Sequence, residues 1–283
     1  LIDFFGAQRD LREKTIRVLH NLSFIEDPTR AFRAVRFSER FGFKLSKHTE
    51  NLIKSALRMN LFDKLSGSRL YEEVLMTFSE TEPVRAIKRL SECGLLRVIH
   101  PGLSFNESME SRFQSTHDAL SWFNLLFLEE GADRGALYLM TLLSGLTDAE
   151  RETAFIRLST PSKLKETINK SITSAKELIR CLPLNDTAKI YRAMNNLHIE
   201  AILFAMAIAD SNDKKKEISH YLLNLRRIKP ILKGNDLTKM GLTPGPVYSE
   251  ILNAVLDEKL RGKLKTKEDE IEFVMERYKA HAK

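Results

Sequence analysis

Apolar residues recur through this chain at spacings of three and four, and few stretches alternate apolar and polar as strands do. Such a chain has little to build with besides helices. Glycine (12) and proline (8) are sparse and fall at segment ends. Asp27-Pro28 offers a carboxylate cap and a proline at the first helical position. Ser46–Thr49 opens a helix reaching about Met59, Ser66-Gly67-Ser68 precedes "RLYEEVLMTF", and Glu82-Pro83 opens "VRAIKRLSECGLL", with Gly94 as its stop. Pro101–Ser115 is polar and reads as a connection. "HDALSWFNLLFLEEG" and "RGALYLMTLLSGL" are strongly apolar helices, with Trp122 expected in the core, and the pattern continues through Ala154–Leu182 and Asn185–Ala209. Ser211–Lys216 reads as a solvated bend before "EISHYLLNLRRIK". Two short helices among glycines and prolines follow, then a last helix from near Thr266 that ends in a basic tail. The expectation is an all-α fold in three consecutive subdomains, and 283 residues suffice to bury a large core.

Function classes narrow next. The longest apolar run, "AILFAMAIA" (Ala201–Ala209), is far short of the roughly 20 residues of a membrane span and suits a buried helix. Cys93 and Cys181 lie far apart in apolar contexts, without metal-ligand spacing, so a reduced, cytoplasmic setting is expected. A net charge of +7 and a pI near 9.3 suit a polyanionic partner. The opening "LIDFFGAQRDL" lacks a methionine and reads like the middle of a longer protein.

The stretch "FIEDPTRAFRAVRF" sets Arg30, Arg33 and Arg36 at three-residue spacing behind Glu26-Asp27. On spacing alone, a solvated face with ion pairs to Glu26 and Glu39 accounts for the row. The chemistry allows something sharper. A carboxylate only accepts hydrogen bonds and a guanidinium only donates them. Side by side, Asp27 and Arg30 present an acceptor next to donors. Adenine and cytosine carry the complementary edge, an amino donor beside a ring-nitrogen acceptor, whereas uracil and guanine would set like against like. The other arginines would then be free to meet phosphates.

"EDPTRAFRAVRFSERFGF" closely resembles the EDxxR motif and following helix of the tRNA nucleotidyltransferase and poly(A) polymerase family, which includes bacterial CCA-adding and A-adding enzymes. "LIDFFGAQRDLREKTIR" is similar to the segment that closes the family's catalytic head, with Asp3, Gly6, Asp10 and Arg17. "LSGSRLYEEVLMTF" resembles the next motif, with Arg69 and Glu73 four apart, and "AIKRLSECGLLRVIHPGL" resembles the end of the neck. The tail-like stretch runs from "LKGNDLTKMGLTPGP" to "EIEFV". The likeness covers roughly residues 1–103 and 228–274. The middle, Ser104–Leu225, is more like the longer A-adding or poly(A) polymerase members.

The resemblance implies a head ending at 1–20, a neck at 21–103 that recognises the nucleotide base, a helical body at 104–225 and an RNA-binding tail at 226–283. It implies a nucleotide site of Asp27 and Arg30 with Glu26, Arg33 and Arg36, supported by Asp3, Gly6, Asp10, Arg17, Arg69 and Glu73. Lys233, Lys239, Arg226 and Arg227 are the candidate RNA contacts. The implied partners are a tRNA or other RNA 3′ end and a nucleoside triphosphate, ATP or also CTP, with Mg²⁺ held by paired carboxylates.

The chain departs from the family pattern in one respect. The Gly-Gly or Gly-Ser signature followed by D-x-D does not occur; Gly67-Ser68 sits in the neck motif with no such pair after it. The catalytic carboxylates are therefore expected upstream of Leu1, and this chain alone is expected not to transfer nucleotides. Two other functions stay open. One is a non-catalytic helical RNA-binding module. The other is an HD-type phosphohydrolase, suggested by His117-Asp118, for which a helix-start polar pair is the plainer account. The "GNDLTKMGLTPGP" segment either offers N–H groups near Pro246 to a phosphate or is a turn that only packs.

Overall fold

The computed structural model describes residues 3–278. The first two residues of the opening segment, and the basic tail beyond Tyr278, lie outside the described residues. The fold is all-α. In chain order the helices are α1 (Ala7–Arg12), α2 (Ser23–Glu26), α3 (Thr29–Phe41), α4 (Lys47–Arg58), α5 (Gly67–Phe78), α6 (Pro83–Glu92), α7 (Glu107–Asn124) and α8 (Arg134–Leu143). They continue with α9 (Asp148–Arg157), α10 (Ser162–Cys181), α11 (Thr187–Met194), α12 (Ile199–Ile208), α13 (Asn212–His220), α14 (Gly234–Lys239), α15 (Val247–Leu260) and α16 (Lys267–Tyr278). Among the described residues the only strands are β1 (Thr15–Ile16) and β2 (Lys44–Leu45), which pair in parallel.

Two compact units divide the chain, and neither is one continuous stretch. The first holds the residues up to Thr173 together with Ile199–Ile208; the second holds Ser174–His198 and the residues from Ala209 on.

In the first unit, α3 buries Ala31, Phe32, Ala34 and Val35, and Phe32 meets Phe62 edge to face at 6.1 Å. Phe78, Phe113 and Tyr138 stack between α5, α7 and α8. The apolar run at 201–209 is the buried helix α12, packed on α7 and α8. Arg157 of α9 donates to the carbonyls of Phe62, Leu65 and Val98, tying three backbone groups from two separate connections to α9. The core of the second unit gathers Leu232, Leu237, Leu242, Ile251, Val255, Leu264 and Val274. Buried Glu270 clamps the turn before α14 by accepting from the N–H groups of Ile231 and Leu232 and from Lys259.

Several helix starts fall where capping chemistry places them. Ser46 accepts from the Thr49 N–H, and the chain turns at Gly94 with φ +79°. Other expectations are corrected. Residues 107–115 are helical, because Asn106 caps α7 by accepting from Met109 N–H. The lysine-rich bend is the first turn of α13, capped by Ser211, and a π-turn at Tyr221–Leu225 breaks the helix expected to run on. The long runs at 154–182 and 185–209 break near Ser159–Pro161 and Asn195–His198. Trp122 is only half-buried; α7 turns Phe113, Ala119, Leu120 and Phe123 inward instead.

Candidate functional site

The link from α2 to α3 places the expected base-reading residues. Asp27 has extended backbone (φ −147°, ψ 99°), and Pro28 starts the turn into α3. The Asp27 Oδ1 accepts from the Thr29 backbone N–H at 3.0 Å and from the Thr29 hydroxyl at 2.7 Å, so the carboxylate caps the helix as its sequence suggests. Arg69, from α5, donates Nη2 to both Asp27 oxygens at 3.0 Å. Burial pushes the Asp27 carboxyl up, but the bonds from Thr29 and Arg69 outweigh it and hold it below the ordinary aspartate value.

Arg30 does not pair with Asp27. Its Nη1 donates to Glu26 at 3.0 Å and to the Ser23 carbonyl at 3.4 Å. His20 lies 3.4 Å from the same carboxylate. Arg33 is exposed and, among the described residues, has no hydrogen-bond or ion-pair partner. Arg30 and Arg33 line a cavity of about 490 Å³ with Arg17, Leu19, His20 and Phe37. The pairing of β1 with β2, and the bond from Val18 N–H to the Thr49 hydroxyl, hold residues 15–20, several of which line the cavity, beside α3.

Arg36 is a correction. It is 5% exposed, with Nη1 3.2 Å from Glu80 and Nη2 3.4 Å from Glu73. Its guanidinium lies 4.7 Å from the centre of the Phe37 ring. A side chain so enclosed stands apart from the cavity that Arg30 and Arg33 line. Glu73 likewise supports the fold by holding Arg36. Burial raises the Glu73 carboxyl above its ordinary value despite the facing Arg36 and Arg33. Glu80 was not singled out in the sequence, yet it anchors this cluster. Burial pushes its carboxyl up, but bonds from Arg40, at 2.7 and 2.8 Å, and from Arg36 bring it below the ordinary range. The only sequence signal was that Arg36 and Arg40, one turn apart, needed a common carboxylate. Glu39 pairs not with the arginine row but with Arg85 at 3.5 Å.

The remaining expected residues are scattered. Asp3 caps α1 through Ala7 and Gln8 N–H, and Gly6 takes a left-handed φ of +74° before it. Arg17 donates to Asp10 at 3.1 Å and to Glu13 at 3.4 Å. In the second unit, Lys233, Lys239 and Arg227 are exposed and Arg226 is half-buried. The "GNDLTKMGLTPGP" segment is a tight turn: Tyr248 donates its hydroxyl to the Leu242 carbonyl at 2.7 Å, and the Tyr248 and Ser249 N–H groups turn back to Gly245 and Pro246. Those two N–H groups are not offered outward. His117 bonds Tyr138, and Asp118 accepts from Gln114. Among the described residues no group of three or more His, Cys, Asp and Glu side chains could hold a metal ion.

Comparisons agree on one family. Residues 42–106 match the model described as the probable RNA and SrmB-binding site of polymerase A. The chain is 40% identical over 282 residues to an A-adding tRNA nucleotidyltransferase of Geobacter sulfurreducens, covering 97% of this chain and 32% of that protein. With the A-adding tRNA nucleotidyltransferase of Aquifex aeolicus the identity is 36% over 247 residues, 86% of this chain and 29% of that one. The CCA-adding enzyme of Thermotoga maritima complexed with tRNA matches with a TM-score of 0.83 at 30% identity, over 98% of this chain and 67% of that structure. A CCA-adding enzyme with ATP matches at 0.81 and 30%, over 98% and 66%. The chain spans roughly a third of the length of these two curated relatives.

Proposed function

The chain belongs to the tRNA nucleotidyltransferase family, and on that premise we propose that it supplies the base-reading and RNA-holding parts of an enzyme adding A, or CCA, to tRNA 3′ ends. The observation that carries the reading is the state of Asp27 and Arg30. Among the described residues Asp27 Oδ2 accepts from Arg69 alone, so a carboxylate oxygen keeps a lone pair for a base amino group. Arg30 commits only Nη1 to protein partners, so its remaining N–H groups stay available to a ring nitrogen. Three residues apart at the start of α3, the two offer the acceptor-beside-donor edge that adenine and cytosine complement.

Addition of A is favoured over CCA because the curated relatives matching 86–98% of this chain are named A-adding. ATP is then the nucleotide; CTP belongs to the CCA reading, and a relative's structure is described with CTP. Exposed Arg33 serves the triphosphate at the cavity beside α3. Residues 21–103 act as neck, 104–225 as body and 226–283 as tail, with 1–20 closing the head. Lys233, Lys239 and Arg227 meet RNA phosphates, with Arg226 beside them. When bound, Mg²⁺ supplies charge stabilisation at the transferred phosphate. The carboxylates that would hold it are assigned to a part of the protein outside this chain. Cytoplasmic work on tRNA, and no transfer by this chain alone, complete the reading.

The test is Arg30→Ala in the full-length polypeptide that carries this chain. Loss of one charge-assisted contact should raise the ATP KM about tenfold and lower the preference for A and C over G and U by a similar factor. Unchanged discrimination would contradict base reading by Arg30.

A further inference from the structure

We propose that the groove between α11 and α15, within the second unit, is a pocket that reads the edge of one unpaired base of the bound RNA. The inference rests on the RNA-holding role given above and adds to it a site for a base rather than a phosphate.

Two ion pairs set α11 antiparallel to α15. Asp186, which caps α11 by accepting from the Lys189 N–H at 2.9 Å, meets Arg261 at the end of α15 at 3.2 Å. Arg192 donates Nε to Asp257 Oδ1 at 2.9 Å and Nη2 to Oδ2 at 2.5 Å. One turn further in the same register, Asn195 and Asn196 come opposite Asn253. With Tyr191 and Leu256, these residues line a cavity of about 550 Å³, a volume usual for a small-ligand site. Three features suit it to a base. First, the three asparagines are exposed, and among the described residues none of their carboxamides has a hydrogen-bond partner. Asn253 stands in the middle of α15, where a carboxamide competes with the helix backbone and caps nothing. A carboxamide sets an acceptor beside donors, the combination a base edge requires. Second, the charge of Arg192 is spent on Asp257, so the pocket wall does not select for a phosphate. Third, Tyr191 supplies a ring on which an unstacked base can lie. Exposed Lys189, one turn before Arg192 and without an ion-pair partner among the described residues, is placed for an adjoining phosphate, which favours a base within an RNA strand over a free small molecule.

The experiment measures tRNA affinity across a salt series for the full-length polypeptide that carries this chain, for Asn253→Ala and for the double variant Asn196→Ala, Asn253→Ala. On the same complexes, dimethyl sulfate and a carbodiimide probe the base edges of the tRNA. The expected result is a Kd raised about tenfold by Asn253→Ala and further by the double variant, with the salt slope unchanged because a neutral side chain releases no counterion. One unpaired base should be protected by the wild-type protein and reactive in both variants. The thermal midpoints should not move, since both side chains are exposed. Affinity and protection unchanged in the double variant, with tRNA bound by the wild type, would overturn the pocket and leave the RNA-holding role standing. No tRNA binding by the wild type would overturn the two together. A loss of affinity accompanied by a shallower salt slope would overturn base reading, because it would mark a phosphate contact.

Discussion

Arg36 shows how one side chain can share a sequence pattern and not the site it points to. Residues three apart on a helix are not in register: each step of three leaves about 60° of rotation, so Arg36 stands about 120° from Arg30. That carries Arg30 to the open cavity and Arg36 to the buried side against α5. Glu73 was named without Arg36 as its partner and Glu80 was not named, since they lie 37 and 44 residues from Arg36 in sequence. Among the described residues Arg36 Nε has no hydrogen-bond partner, so the cluster has no polar contact to spare. Removing one member of a buried ion pair strands the other charge, so Glu80→Gln should cost about 3 kcal/mol of unfolding free energy, read from urea midpoints. Arg40, half-exposed, should lose far less as Arg40→Gln. The pH dependence has a definite sign. The Glu80 carboxyl is held below its unfolded value, so its stabilisation is present above the ordinary glutamate range and is lost as pH falls through the lowered value. Glu73 is raised and runs the other way: its contribution is present in acid and is lost as pH rises through the raised value. Acid titration of the Glu80→Gln variant should therefore show a shallower loss of stability than the wild-type chain; an equal loss would place the acid-labile group elsewhere.

At the scale of elements, helix starts with a capping side chain were the readable part, because the cap is local. Asp27, Ser46 and the glycine stop at Gly94 needed only neighbours within a few residues. The polar stretch before α7 misled because a solvated first turn looks like a loop, and Asn106 is its only local sign of a helix. The lysine run after Ser211 misled in the same way. What no local pattern carries is close approach between elements. Gly67 opens α5 where an added Cβ would run into Ser159 Oγ and lie 2.6 Å from the Arg157 carbonyl. The hydroxyl can move; the carbonyl belongs to the last turn of α9, where Arg157 also holds Phe62 and Leu65. Gly67→Ala should therefore destabilise the chain by about 2 kcal/mol, against the usual gain from removing a helix glycine. An unchanged or raised thermal midpoint would mean that α5 and α9 part easily.

For the whole molecule, net charge and helicity were legible because they sum over the chain. The two compact units interleave along it: the second takes Ser174–His198 and resumes at Ala209, with α12 given to the first. That exchange follows from α12 being apolar all round: a helix with no polar face must be surrounded, and α7 and α8 do so. Family membership rested on short motifs that stayed readable in a third of a longer relative's length. The net charge of +7 becomes a testable property only against RNA. Four phosphate contacts by Lys233, Lys239, Arg227 and their neighbours would weaken tRNA affinity about a hundredfold between about 50 and 200 mM salt. The most direct test of the central claim is therefore tRNA binding by this chain at those two salt concentrations, with a 3′-nucleotide addition assay on the same samples. The account predicts binding that falls steeply with salt and no addition. Binding that is absent, or indifferent to salt, would contradict an RNA-holding role, and nucleotide addition would contradict the assignment of the catalytic carboxylates to another part of the protein.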